Sequence, residues 1–340
     1  MQALVTGGAG FIGSHLTRAL LDRGETVVVL DNLSTGRSDN LAELREGPRL
    51  RLIVGDARDP ATVAAAMEGC DAIFHLAAHV GVRRIVQQAL GSLLNNLHCS
   101  LTVLEQAARR RLRTIHFSSS EVYGKGRGDV LIEDQDLAIG PPNVSRWSYA
   151  AGKAVDESLA MAYHAERGLP VTVVRCFNTC GPRQTGRYGM VLPTFVRQAL
   201  AGRPLTVHGD GSQTRCFSYV GDVVRGVLAL QGAPATVGEL FNVGNDVEVT
   251  IRELAERIVK LTDSRSPIVT VPYERVFGEP FEDIRRRVPS LQKIRSFIGY
   301  QPRVDLDELL RITIESMRTE APRCDAPAAV AERSVQDPRN

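Results

Sequence analysis

The feature that most constrains this chain lies within its first 31 residues. An apolar run, Ala3–Val5, opens into Thr6-Gly7-Gly8-Ala9-Gly10-Phe11-Ile12-Gly13, and apolar residues then recur at helical spacing to about Arg23. A second apolar run, Thr26–Leu30, ends at Asp31 and Asn32. Strand, glycine turn and helix in that order let backbone amides and a helix N-terminus approach a pyrophosphate, whose charge the helix dipole favours. Gly7, Gly10 and Gly13 allow the close approach, with Phe11 and Ile12 opening the helix. Asp31 stands where a carboxylate accepts hydrogen bonds from a ribose and repels a 2′-phosphate. The expected cofactor is therefore NAD, with Asn32, Asp56 and Ala57 completing the adenosine side.

The alternation continues along the chain. Arg51–Val54, Ala72–His75, Thr114–Phe117 and Val171–Arg175 read as further strands, separated by helical stretches such as Leu93–Arg110. Strands and helices at this spacing predict right-handed crossovers and a doubly wound parallel sheet of the Rossmann type, an α/β fold. Residues 1–175 are expected to form the dinucleotide-binding domain, with later returns near 216–245. Beyond Arg175 glycine and proline loosen the pattern, and 176–318 reads mainly as a smaller C-terminal substrate lobe. Helices are expected over Gly221–Leu230 and Ile251–Leu261, and 319–340 loses apolar spacing, as a frayed tail does.

Forty-one basic against 39 acidic residues leave a formal charge of +2, which argues against a nucleic-acid partner. Neither a leader pattern nor an apolar run long enough for a membrane span is found, so the expectation is a cytoplasmic protein with no membrane contact. The six cysteines are scattered without a Cys-x-x-Cys pair, so free thiols and no metal are expected.

Tyr149 and Lys153 are four apart in Ser148-Tyr149-Ala150-Ala151-Gly152-Lys153, which puts both on one face of a helix. An ammonium near a phenol favours the phenolate, turning it into a useful general base. Tyr-x-x-x-Lys alone is common on protein surfaces. Here it accompanies the dinucleotide turn and Phe117-Ser118-Ser119-Ser120-Glu121-Val122-Tyr123-Gly124, which leaves the fifth strand at the end of the sheet where ligands bind. His75 and His79 read as core and loop residues.

With these motifs the chain resembles the extended short-chain dehydrogenase/reductases of the nucleotide-sugar epimerase/dehydratase family. The resemblance runs from Gln2 to about Met317 through GGAGFIGSHL, DNLSTG, GDARD, HLAA, FSSSEVYG, YAAGK, VVRCFNTCGPR, GDGSQTRCFSYVGDV and FNVGN. It implies that Ser119 and Tyr149 handle the proton of the sugar hydroxyl at carbon 4, with Ser120 and Glu121 alongside. Lys153 would hold the nicotinamide ribose and tune Tyr149. Leu76, Ala77 and Ala78 would line the cofactor, and Asn96 would support it. Asn178, Val191, Arg215 and Arg287 would hold the UDP-sugar. The family also implies a homodimer joined through Leu93–Arg110 and Tyr149–Arg167.

The resemblance implies a common first step, oxidation at carbon 4 to a 4-keto sugar. A 4,6-dehydratase of this family carries an Asp–Glu pair where this chain has Ser120–Glu121, which disfavours dehydration. Gly186-Arg187-Tyr188-Gly189-Met190 is similar to a segment of UDP-glucuronate 4-epimerases, where Arg187 would pair with a uronate carboxylate. The leading expectation is therefore a 4-epimerase converting UDP-glucuronate to UDP-galacturonate, with UDP-glucose/UDP-galactose as related substrates. The alternative is UDP-glucuronate decarboxylation, since Ser-Glu-Val-Tyr-Gly and Arg287-Val288-Pro289 resemble decarboxylases, while the loop after HLAA and Pro142–Ser148 depart from them. A reading from another class is a dinucleotide sensor without turnover. Members of that kind lose the tyrosine or lysine, and both stand here with Ser119.

Overall fold

The computed structural model describes residues 1–44, 47–81, 85, 87–126, 130–186, 189–277 and 284–319. In chain order the strands are β1 (Gln2–Thr6), β2 (Thr26–Asp31), β3 (Leu50–Val54), β4 (Ala72–His75), β5 (Arg113–Ser119), β6 (Val171–Cys176), β7 (Thr179–Cys180), β8 (Leu205–His208), β9 (Thr214–Cys216), β10 (Ser218–Tyr219), β11 (Leu240–Val243), β12 (Glu248–Thr250) and β13 (Ile268–Val271). The helices are α1 (Phe11–Asp22), α2 (Pro60–Ala66), α3 (Ala89–Arg110), α4 (Ser148–Arg167), α5 (Val191–Leu200), α6 (Val220–Gly232), α7 (Ile251–Thr262), α8 (Tyr273–Phe277), α9 (Gln292–Ile298) and α10 (Leu306–Thr319).

Seven strands form one parallel sheet in the order β11-β6-β5-β4-β1-β2-β3. The order reverses between β1 and β4, and it is outside the carboxyl ends of strands at such a point that ligands bind in open α/β sheets. Both faces are covered. Leu16 and Leu20 of α1 pack with Val223 and Val227 of α6 on one side. Val63 of α2, Val103 of α3 and Ala160 of α4 close the other. Strands buried on both faces read as unbroken apolar runs, which is why Ala3–Val5 and Val27–Leu30 were legible.

The expected six strands are present, each within two residues of its predicted ends. The seventh, β11, joins the sheet edge by pairing Leu240–Val243 with Val173–Cys176. It is short and lies far along the chain, where Phe241-Asn242-Val243 reads from sequence only as part of a motif. A separate apolar cluster holds α5, α7 and α10, around Leu192, Phe195, Leu254, Ile258 and Leu310. The start of α7 is set by Thr250, whose side chain accepts from the Glu253 amide at 3.0 Å. The stretch read as a tail lies outside the described residues after Thr319. Among the described residues no helix is long and apolar enough to cross a membrane, and no group of three or more His, Cys, Asp or Glu side chains is placed to hold a metal.

Candidate active site

One cavity of about 870 Å³ runs from the β1–α1 turn across the sheet ends to Arg215 and Arg287. Every site residue expected from the sequence lines it, with two exceptions. Arg187 lies outside the described residues. Asn96 sits one layer back: its side chain accepts from the His79 amide at 2.6 Å and donates to the His79 carbonyl at 3.1 Å. It pins the loop after β4, which borders the cavity at residues 76–81.

The nucleotide end is made of backbone. Gly7 has φ +71°, and a Cβ there would stand 2.9 Å from the Ala77 amide nitrogen. At Gly13 a Cβ would meet the Gly7 carbonyl at 2.2 Å. No side chain caps the first turn of α1, so its amides are open to the cavity that Phe11 and Ile12 border. Asp31 is buried at the end of β2 and accepts from the Ala9 amide at 3.0 Å and the Leu33 amide at 2.8 Å. Burial raises its pKa, with the two amides opposing. A carboxylate has about four lone-pair sites, so two remain for a ribose diol. Asp56 also lines the cavity and is ion-paired to Arg58 at 2.5 Å. Cradle, open amides and ribose acceptor fit a dinucleotide with a free 2′-hydroxyl.

The reacting end is made of side chains. β5 delivers Ser119, whose Oγ accepts from the Glu121 amide at 3.3 Å. α4 delivers Tyr149 and Lys153 one turn apart on the face toward β5. Burial raises the Tyr149 pKa, against the downward pull of the Lys153 ammonium and the Ser119 hydroxyl.

Glu121 is the most charged neighbour of this group. Its carboxylate meets Arg146 at 2.6 Å and Arg287 at 2.7 Å; both arginines are buried, and the glutamate side chain is 13% exposed. Burial alone would raise its pKa. Arg287 and Arg146 reverse that and hold it at about 2, with Arg215 adding to the pull. Arg287 reaches the site because its segment is bound to residue 131: Leu131 donates to the Val288 carbonyl and accepts from the Ser290 amide, each at 2.8 Å. Its guanidinium also donates to Ser120 Oγ at 3.2 Å. Arg215 donates to the Ile284 carbonyl at 2.7 Å. Asn178, with φ +25°, donates to the Cys216 carbonyl at 2.9 Å and borders the same cavity.

The sequence reading missed Arg146. Its position three residues before Tyr149 was the available signal, obscured by the abundance of arginine in this chain. Also missed was the buried pair behind the site, where Glu157 accepts from Arg175 at 2.9 and 2.7 Å and from Ser118 Oγ at 2.6 Å. Cys176 and Cys180, the nearest cysteines in sequence, are free thiols.

Residues 3–244 match the model of the NAD dependent epimerase/dehydratase family. The chain is 39% identical over 318 residues to a UDP-N-acetyl-alpha-D-glucosaminuronate decarboxylase of Bacillus cytotoxicus, covering 93% of this chain and 98% of that one. It is 36% identical over 318 residues to UDP-glucuronic acid decarboxylase 1 of Arabidopsis thaliana, covering 94% and 70%. A crystal structure of UDP-glucuronic acid 4-epimerase from Bacillus cereus, in complex with UDP-glucuronic acid and NAD, superposes with a TM-score of 0.84. It is 29% identical and covers 94% of this chain and 99% of that one. The protein is an NAD-dependent, Rossmann-type enzyme of the nucleotide-sugar class. The chain belongs to the NAD dependent epimerase/dehydratase family.

Proposed function

We propose that this protein decarboxylates a UDP-linked hexuronate after oxidising it at carbon 4, which favours the alternative sequence reading over the epimerase. The observation that carries the proposal is Glu121, kept ionised between Arg146 and Arg287 beside Ser119 and Tyr149. An epimerase must let the keto sugar turn over between oxidation and reduction, so it needs weak contacts to the ring. Fixed charges at the reacting end oppose that freedom. A uronate carboxylate held near ionised Glu121 is raised in energy by like-charge repulsion, which disappears when carbon dioxide leaves. Three guanidiniums, Arg146, Arg215 and Arg287, keep the cavity attractive to the anionic substrate as a whole. The two decarboxylase relatives support the same reading.

NAD, held along Gly7, Gly10, Gly13 and Asp31, would supply the hydride acceptor and donor for carbon 4. Tyr149, as the phenolate, accepts the proton of the carbon-4 hydroxyl through or beside Ser119. Lys153 keeps the phenol oriented. In the 4-keto sugar the bond between carbons 5 and 6 breaks, and its electron pair moves toward the carbon-4 oxygen. There the Tyr149 hydroxyl donates to the developing charge. A proton from solvent restores carbon 5, and Tyr149 returns its proton to the carbon-4 oxygen at reduction. The net reaction is hexuronate plus a proton to pentose plus carbon dioxide. Assembly as a homodimer is part of the proposal, supported by exposed Leu90 and Leu94 on α3 and Val155 on α4.

The test incubates the enzyme and NAD with UDP-glucuronate and with UDP-N-acetylglucosaminuronate, following carbon dioxide release and the product by NMR. A UDP-pentose or its 2-acetamido counterpart with stoichiometric carbon dioxide is expected. A galacto-configured uronate without carbon dioxide would return the assignment to the epimerase. Bound dinucleotide with no turnover of either sugar would favour the sensor.

A further inference from the structure

Beneath the reacting groups lies a second set of titratable side chains that the scheme above does not use. Lys153 Nζ donates to the Phe117 carbonyl and to Asp156 Oδ2, each at 3.1 Å. Asp156 is fully buried on α4, and its Oδ1 has no hydrogen-bond partner. His116 on β5 and His75 on β4 are register partners with ring centroids 5.3 Å apart. Neither ring nitrogen of buried His116 is hydrogen-bonded; His75 uses Nδ1 on Thr6 Oγ1 at 2.8 Å and leaves Nε2 unmatched. Both rings feel the charge of Lys153. A buried polar atom without a partner costs about 1–3 kcal/mol. Apolar side chains at 116 and 156 would avoid that cost, and sites that carry it tend to be functional.

We propose that Asp156 is a positioning residue under Lys153, fixing its ammonium and setting how much positive charge reaches the Tyr149 phenol. The inference rests on Tyr149 and Lys153 as the proton-handling pair, whichever reaction follows oxidation. An unopposed ammonium favours the phenolate, whereas a carboxylate 3.1 Å from that ammonium cancels part of the pull. Burial draws Lys153 down, yet Asp156 leads the groups that leave it above its ordinary value. At Tyr149 burial raises the phenol first; Lys153 then lowers it, and Glu121 and Asp156 raise it.

The other groups around the pair add no variable charge. Burial, helped by Lys153, pushes His116 down to about 3, and His75 is lowered in the same way, so both rings are neutral near neutral pH. The thiols of Cys176 on β6 and Cys99 on α3 are pushed up to about 12 by burial. Glu157 is matched by Arg175, and Glu121 by Arg146 and Arg287. Asp156 is thus the charge that offsets Lys153.

The test uses the NAD-loaded enzyme and two readouts. One is the pH dependence of single-turnover NAD reduction by a UDP-hexuronate. The other is titration of phenolate absorbance, with Tyr149→Phe as the blank. Asp156→Asn keeps the shape and the contact with Lys153 but removes the charge, so the Tyr149 titration and the acid limb of the rate should both move down by about one pH unit. His116→Leu leaves the contact between Asp156 and Lys153 in place and serves as the control, with both readouts expected to stay where they are in the parent. Rate loss at every pH with an unmoved phenol titration in Asp156→Asn would overturn the proposal, as would a shift of the same size in His116→Leu. Should Asp156→Asn fail to fold, Asp156→Ser, which also removes the charge, decides alone, and an unmoved titration overturns the proposal. The phenol titration needs no substrate, so an error in the assigned reaction leaves it interpretable.

Discussion

The two ends of the cavity are built differently. At the nucleotide end the decisive contacts are backbone amides and missing side chains, supplied by a contiguous turn and one aspartate at the next strand end. At the sugar end they are charged side chains from four distant segments: Glu121 after β5, Arg146 before α4, Arg215 on β9 and Arg287 before α9. The first end fits a ligand common to many enzymes, and in the proposed reaction the second acts on the substrate. Steric cradles of this kind tolerate almost no added atoms. Charge clusters tolerate isosteric change in shape but not in charge.

That contrast sets the predictions. Glu121→Gln should have the largest effect. It keeps the shape but leaves Arg146 and Arg287 without their counter-charge, so kcat for carbon dioxide release should fall by about 100- to 1,000-fold. NAD affinity, measured by fluorescence titration, should stay within about twofold, because Glu121 belongs to the other end. Loss of NAD binding in this variant would dissolve the distinction between the ends. Gly13→Ala should act in reverse. Its new Cβ falls 2.2 Å from the Gly7 carbonyl, and overpacking of this kind costs about 1–3 kcal/mol. NAD should bind about 10- to 100-fold more weakly, with kcat at saturating NAD much less affected. Asp31→Asn should be the mildest, weakening NAD about tenfold through loss of a charged acceptor while improving binding of the 2′-phosphorylated form. The ratio of the two dissociation constants measures it, and an unchanged ratio would remove Asp31 from cofactor selection.

A second comparison shows why burial and charge alone do not identify the reactive cluster. Arg175–Glu157 is more deeply buried than Glu121 with its arginines, and removing one partner would leave an uncompensated charge at a cost of about 3–5 kcal/mol. Yet Glu157 is closed off by Ser118 and Arg175 and does not border the cavity, whereas Glu121 does. From sequence both are glutamates near the catalytic helix. Only their surroundings separate a brace from a participant.

Much of the molecule was nonetheless legible. Five strands showed as apolar runs because both of their faces are covered, β3 at the sheet edge showed as one though only half-buried, and Tyr149 with Lys153 showed as a helical repeat. β11 escaped because four residues carry too little periodicity. Arg146 escaped because an arginine three residues before a tyrosine says nothing until Glu121 is seen against it. The pairing of Asp156 with Lys153 was obscured by a spacing equally suited to a solvated helix face.

By itself the sequence determined the parallel sheet, the dinucleotide turn and the phenol–amine pair, since each depends on spacing within one local element. Only the tertiary structure decided the charge on Glu121 and the company kept by Lys153. Those are Coulombic and desolvation effects between segments up to 167 residues apart in the chain, and they exist only once folding has removed the water between them.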